Sequence, residues 1–149
     1  MSTLEIPRRL DSVDVRGPRF AAWVTTAVLA VVLLTGSGIL LALQAAVFAI
    51  GAACGPRRSP YGWLYAHLVA PRLSAATERE PVAPLRFAQA VGFGFALIGT
   101  VGFVLGAPAL GFLATAAALV AALLNAAFGL CLGCRLYPLV ALARTRTRH

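Results

Sequence analysis

The sequence predicts an all-α integral membrane protein with four transmembrane helices arranged as two hairpins. Both termini are expected in the cytosol, and a short interfacial helix is expected in the central loop. Three observations carry this. Hydrophobic residues make up 60% of the chain and charged residues only 12%, with a mean hydropathy of +0.84, whereas soluble domains carry roughly a quarter charged residues. Two long runs, residues 20–56 and 87–134, contain no charge at all. All 13 basic residues are Arg, and they fall in three clusters beside those runs, where they orient a membrane protein rather than bind nucleic acid. The 149 residues are read as one multi-pass domain, with no room for a further soluble domain of ordinary size.

Residues 1–18 are polar and include Arg8, Arg9, Arg16, Asp11 and Asp14. They lack the apolar core and small-residue cleavage site of a signal peptide, so a retained cytosolic arm is expected. As one straight helix, residues 20–56 would reach about 55 Å, well past a hydrocarbon core of about 30 Å. The run must fold back, and Thr35-Gly36-Ser37-Gly38 is the natural turn, giving spans near 19–36 and 39–55. The second run breaks at Gly106-Ala107-Pro108, giving spans near 86–106 and 109–134. Glycines from Gly92 to Gly106 and the Ala-rich stretch 114–127 allow close helix contact where lipid removes the hydrophobic drive for association. Gln44 and Asn125, deep in the spans, are expected to hydrogen-bond between helices.

The long loop between the hairpins holds Tyr61-Gly62-Trp63-Leu64-Tyr65-Ala66-His67-Leu68-Val69. This aromatic segment fits a helix at headgroup level, covering the cytosolic ends of the second and fourth spans. His67 there reads first as a polar group at a wet boundary. The basic end of the chain, from Arg144 onward, fits a cytosolic tail beside anionic lipid. Neither turn holds an Arg, so the positive-inside rule puts both termini and the long loop in the cytoplasm, with all three cysteines near that face. The halves also look alike. Arg19-Phe20-Ala21 and Arg86-Phe87-Ala88 each open a hairpin, and Gln44-Ala45-Ala46-Val47-Phe48 resembles Asn125-Ala126-Ala127-Phe128, as a parallel duplication would produce.

Chemistry is concentrated in Cys131-Leu132-Gly133-Cys134. Thiols at i and i+3 share a helix face and can close a disulfide, share a metal or pass sulfur. They can equally be small apolar residues packed in an Ala-rich bundle. Taken as the end of the fourth span, the pair meets a helix dipole that opposes the thiolate, which Arg135 would partly offset. A reducing compartment disfavours a permanent disulfide and favours a cycling dithiol. Zinc needs more than two ligands, so a site drawing on Cys54, His67, Cys131 and Cys134 is the weaker alternative, and no metal is expected. No acidic residue lies in a span to support a carboxylate relay, and no Gly-rich nucleotide motif is present, so no cofactor is expected.

Arg16-Gly17-Pro18-Arg19-Phe20, Pro84-Leu85-Arg86-Phe87-Ala88-Gln89-Ala90-Val91-Gly92 and Leu124-Asn125-Ala126-Ala127-Phe128-Gly129-Leu130-Cys131-Leu132-Gly133-Cys134-Arg135-Leu136-Tyr137 resemble the bacterial integral membrane family catalogued as domain of unknown function 4395. The Cys-Leu-Gly-Cys-x-x-Tyr ending is the most specific part. The resemblance implies a small multi-pass protein of the bacterial plasma membrane with no assigned reaction. Family members are often encoded near thioredoxin-like and sulfurtransferase proteins, which points to a cytosolic partner of that kind. Cys54 is outside the pattern. The leading expectation is a thiol redox or sulfur-relay component in which Cys131 and Cys134 react, with Arg135 and Tyr137 supporting. The alternative is a non-enzymatic anchor or a small permease for a neutral or sulfur-containing solute, with the cysteines as packing residues. The expected partners are lipid and such a cytosolic protein, nucleic acid is not expected, and the sequence is silent on oligomeric state.

Overall fold

Gly36 adopts the left-handed conformation that side chains resist, with φ at 65°, and its N–H donates to the Val32 carbonyl at 2.7 Å. That closes α1 (Arg16–Thr35). The Ser37 hydroxyl then accepts from the Leu40 N–H at 3.1 Å, starting α2 (Gly38–Cys54). The first turn therefore falls where the sequence puts it. This is a computed structural model, and it describes residues 12–74 and 78–146. The fold is all-α apart from one small ribbon, β1 (Ser12–Asp14) pairing antiparallel with β2 (Arg79–Pro81), Val13 opposite Glu80. Most of the expected arm, residues 1–11, lies outside the described residues, as do 147–149 of the tail.

The central loop is helical from α3 (Pro60–Leu64) through a π turn (Tyr65–Val69) and a 3-10 turn (Ala70–Arg72). Ser59 caps it, accepting from the Gly62 N–H at 3.1 Å, and Pro60 sits at its first turn. It packs on α1 and α2 rather than over the helix expected as the fourth span. Two aromatic anchors explain the difference: the Tyr65 ring meets Phe20 of α1 at 5.9 Å, and the Tyr61 hydroxyl donates to Gln44 Oε1 of α2 at 2.6 Å.

The second hairpin is α4 (Val82–Val104) and α5 (Pro108–Phe128), joined through Gly106 at φ 79° with Pro108 in the first turn of α5. Helices α1, α4 and α5, of 20, 23 and 21 residues, are long and apolar enough to cross a membrane, and α2 is an apolar helix of 17. Leu29, Val32, Leu41, Ala45, Phe48, Ala96 and Ala118 form the buried core. Glycines let α4 approach its neighbours: a Cβ at Gly102 would stand 2.8 Å from the Gly111 backbone nitrogen, and one at Gly92 2.8 Å from the Phe48 ring.

The first helix of each half packs on the second helix of the other, α1 on α5 and α4 on α2. The helix ends are tied alike. Arg86 of α4 donates to the Ala52 and Ala53 carbonyls at 2.8 and 2.9 Å, and Arg19 of α1 to the Ala126 carbonyl at 3.5 Å. Ala52 and Ala126 each stand three residues before a positive-φ glycine, Gly55 and Gly129. Exchanging the halves maps one set of ties onto the other, as a duplicated hairpin requires. This register aligns Gln44 with Ala118, not with Asn125 as the sequence comparison had it. The symmetry is incomplete, because α4 packs along α5 far more than α1 does along α2.

Helix α5 ends at Phe128, so the run expected as a fourth span to residue 134 stops short. Gly129 takes φ 66°, its N–H bonds the Asn125 carbonyl at 3.0 Å, and Leu130 N–H bonds the Leu124 carbonyl at 3.2 Å. The first is the single bond of a left-handed glycine cap, and the second ties the following residue back to the last turn. A further helix then begins, α6 (Leu132–Arg146), packed chiefly on α4. The expected basic tail is thus helical through Arg146. Leu132, Leu136, Leu139 and Leu142 form an exposed apolar row along it, and Arg135, Arg144 and Arg146 are exposed as well.

Candidate functional site

Because α5 stops at Gly129, the cysteine pair does not end a helix; it starts one. Cys131 stands immediately before α6 and Cys134 in its first turn, joined as a disulfide with Cα atoms 5.2 Å apart. The Cys134 N–H donates to Cys131 Sγ at 3.2 Å, and Arg135 N–H donates to the Cys131 carbonyl at 3.1 Å. This overturns the expectation that the helix dipole opposes a thiolate here. At the start of α6 the dipole and the Cys134 N–H favour negative charge on the Cys131 sulfur.

The neighbouring side chains divide. The Arg135 side chain is exposed. The Tyr137 ring packs on Phe87 of α4, centroids 6.0 Å apart, so it fixes α6 to the bundle. Arg19, not singled out for the site beforehand, approaches the loop from the other side: its guanidinium reaches the Ala126 carbonyl, and a Cβ at Gly129 would lie 4.0 Å from its Cζ. The one sequence signal for it was the Arg-Phe-Ala repeat.

Cys54 is a free, exposed thiol at the end of α2. His67 stacks on Trp63 at 4.3 Å and donates from Nδ1 to the Trp63 carbonyl at 2.9 Å. Among the described residues no three His, Cys, Asp or Glu side chains gather to hold a metal. The alternative set of Cys54, His67, Cys131 and Cys134 is therefore not assembled. Gln44 is bound by Tyr61 of the loop helix rather than by another long helix; it is 1% exposed, and its Nε2 has no partner among the described residues.

Two cavities share the wall made by Pro18, Ala21, Leu85 and Gln89. One, of about 470 Å³, lies beneath the ribbon and the loop helix and is lined partly by Asp14, Arg57, Tyr65 and Arg79. Asp14 receives Tyr65 Oη–H at 2.8 Å and Arg16 Nη2 at 2.9 Å. Burial pushes the Asp14 carboxyl up, but hydrogen bonds from the Arg16 side chain and backbone and from Tyr65 outweigh it, holding it below the usual carboxylate range. Tyr65 is pushed up by burial and by the bond to Asp14. The second cavity, of about 310 Å³, lies between α1, α4, α5 and α6, and Cys131 lines it.

Residues 13–141 match the family described as Domain of unknown function (DUF4395). No curated protein and no solved structure matches the chain.

Proposed function

The chain belongs to the DUF4395 family, and on that footing we propose that it is a membrane thiol redox component whose Cys131–Cys134 pair exchanges electrons with a cytosolic thioredoxin-like or sulfurtransferase partner. The observation that carries the reading is the Cys134 N–H aimed at Cys131 Sγ at the start of α6. A partner thiolate attacks Cys134 Sγ, a new S–S bond forms, and the Cys131 sulfur leaves with the electron pair, stabilised by that N–H and the dipole. Exchange is fastest when the leaving thiolate is the better stabilised one. A second partner thiolate then displaces Cys134, leaving the partner oxidised and this pair reduced. Arg135 adds positive charge at the mouth of the site, and Tyr137 holds α6 in place through Phe87.

The setting proposed is the bacterial plasma membrane, with α1, α2, α4 and α5 all crossing and both termini cytosolic. Helix α2, about 25 Å long, is short for a span, but α4 packs along it. The leucine row of α6, with its arginines, suits a helix lying in the interface beside anionic lipid. The loop helix suits the same level, with Trp63 exposed.

Alkylation trapping of the two thiols in growing cells tests this. The pair should move between oxidised and reduced states with the redox state of the medium, and a partner lacking its second thiol, the one that displaces Cys134, should accumulate as a mixed disulfide with Cys134. Should the pair stay in one state throughout, and Cys131→Ser and Cys134→Ser sustain growth and sulfur metabolism like the parent, the cysteines are packing residues in an anchor or permease.

A further inference from the structure

We propose that the 310 Å³ cavity behind Cys131 binds the head group of a membrane-soluble quinone, which accepts the two electrons of the reduced pair. The inference rests on the dithiol reading above and names the second substrate that reading needs. The cavity's size is at the lower end of ligand sites, enough for a compact ring system. None of its lining residues is charged, which disfavours nucleotide-bearing carriers such as flavins, whose phosphates call for basic or backbone N–H partners. Small side chains of α5, Ala117 and Ala121 among them, form one wall, and Phe48 and Phe95 contribute aromatic faces. These suit a flat apolar ring.

Two amides supply the polar recognition. Gln89 of α4 and Asn125 of α5 both line the cavity, and neither side chain makes a hydrogen bond with another described residue. The Gln89 carboxamide lies against Gly51 of α2, and in the proposed site both NH₂ groups donate to the quinone's carbonyl oxygens. The mouth opens sideways, because Phe95, Leu132 and Leu136 both line the cavity and are exposed on the outer surface. In a membrane-spanning bundle that surface meets acyl chains, so a ligand carrying an isoprenoid tail enters from the lipid. Cys131 lines the cavity and Cys134 does not, which separates the quinone side of the pair from the partner side.

The step balances. As the Cys131–Cys134 bond forms, the two sulfurs lose two electrons and two protons, and the quinone's carbonyl oxygens gain them as hydroxyls. Combined with the exchange above, one partner dithiol and one quinone become one partner disulfide and one quinol.

The test uses the full chain carrying Cys54→Ser, in lipid nanodiscs, reduced and freed of reductant under anaerobic conditions. A fully substituted benzoquinone with a decyl chain is the probe, since it offers no ring position for thiol addition. One quinol should form per cysteine pair. Ala121→Phe, which fills the cavity, should slow this at least tenfold relative to the same protein's reaction with a small water-soluble disulfide. Asn125→Ala, a change that leaves the packing volume open, should raise the quinone concentration for half-maximal rate several-fold. Unchanged quinone kinetics in both variants, or no quinol from a parent whose thiols react with the disulfide, overturns the quinone site and leaves the dithiol reading standing. A pair that reacts with neither oxidant overturns both.

Discussion

Arg19 and Arg86 hold equivalent posts at opposite helix pairs, each at the start of one hairpin and each tied to a carbonyl three residues before a helix-closing glycine. The two ties differ in strength. Arg86 makes two short bonds, Arg19 one of 3.5 Å. Charge-assisted bonds at a helix C-terminus contribute on the order of 1 kcal/mol in partly exposed settings. Arg86→Ala should therefore lower the melting temperature of the protein in nanodiscs measurably more than Arg19→Ala. Arg19→Ala should show itself at the cysteine loop instead, by changing the rate at which the reduced pair is alkylated. Equal melting shifts with unchanged alkylation would refute the distinction.

Close contact at α4 predicts a sharp contrast between two glycines. A Cβ at Gly102 meets the backbone of Gly111 and Ala107, which cannot rotate away, while a Cβ at Gly94 meets nothing within 4 Å. Gly102→Ala should destabilise by about 1–3 kcal/mol. Gly94→Ala should be neutral or slightly stabilising, since Ala is the better helix former by about 1 kcal/mol. Thermal melts of the two variants in the same lipid check this directly.

The ribbon is tied to the loop helix by the Tyr65–Asp14 bond at 2.8 Å and to the loop by Arg16 donating to the Ser74 carbonyl at 2.8 Å. Tyr65→Phe should speed amide hydrogen exchange at Val13 and Val15 without altering exchange within α4 and α5. Asp14 is held below the usual carboxylate range, so its contribution is present above an ordinary aspartate pKa of about 3.9. It is lost as pH falls through the lowered native value. Tyr65 is raised, so its contribution is complete below an ordinary tyrosine pKa of about 10 and is lost as pH rises through the native value. Exchange at the ribbon should accordingly stay flat from pH 5 to 9, once corrected for intrinsic exchange, and rise only in acid or strong alkali. A midpoint near neutrality would contradict the assignment.

Labelling from outside intact cells reads the proposed topology. On a background without native cysteines, a Cys placed at Ser37 or Ala107 should be marked by an impermeant maleimide, and one at Ser74 should not. The reverse pattern would invert the protein and put the Cys131–Cys134 pair on the oxidising side.

Two of the expected helix boundaries moved for local reasons that sequence alone leaves open. Gly129 and Gly133 stand four residues apart, and either can end a helix. Gly129 does so because its left-handed conformation also satisfies the carbonyls of Leu124 and Asn125. The tail is expected from Arg144 onward and no helix after residue 134, where Pro138 and the closing arginines interrupt the short apolar stretch 139–143; Pro138 is nonetheless accommodated within the first two turns of α6, and Tyr137 packing on Phe87 secures the helix to α4. The ribbon was not legible either, since three residues of Ser-Val-Asp carry no strand period until Arg79 and its neighbours lie beside them.

What the sequence determined by itself is the polarity pattern: two long uncharged runs, turns at Gly36 and Gly106, and arginines kept outside the runs. Those follow from length and polarity, which every residue carries with it. The tertiary structure decided which helix meets which, and therefore where the cysteines stand. α1 lies on α5 and α4 on α2, and α6 folds back on α4. The thiols thereby change from the end of one helix to the start of another, with a cavity behind Cys131. Such contacts join residues more than a hundred positions apart, as Arg19 and Ala126 do, and depend on shape that small residues create only when two helices are brought together.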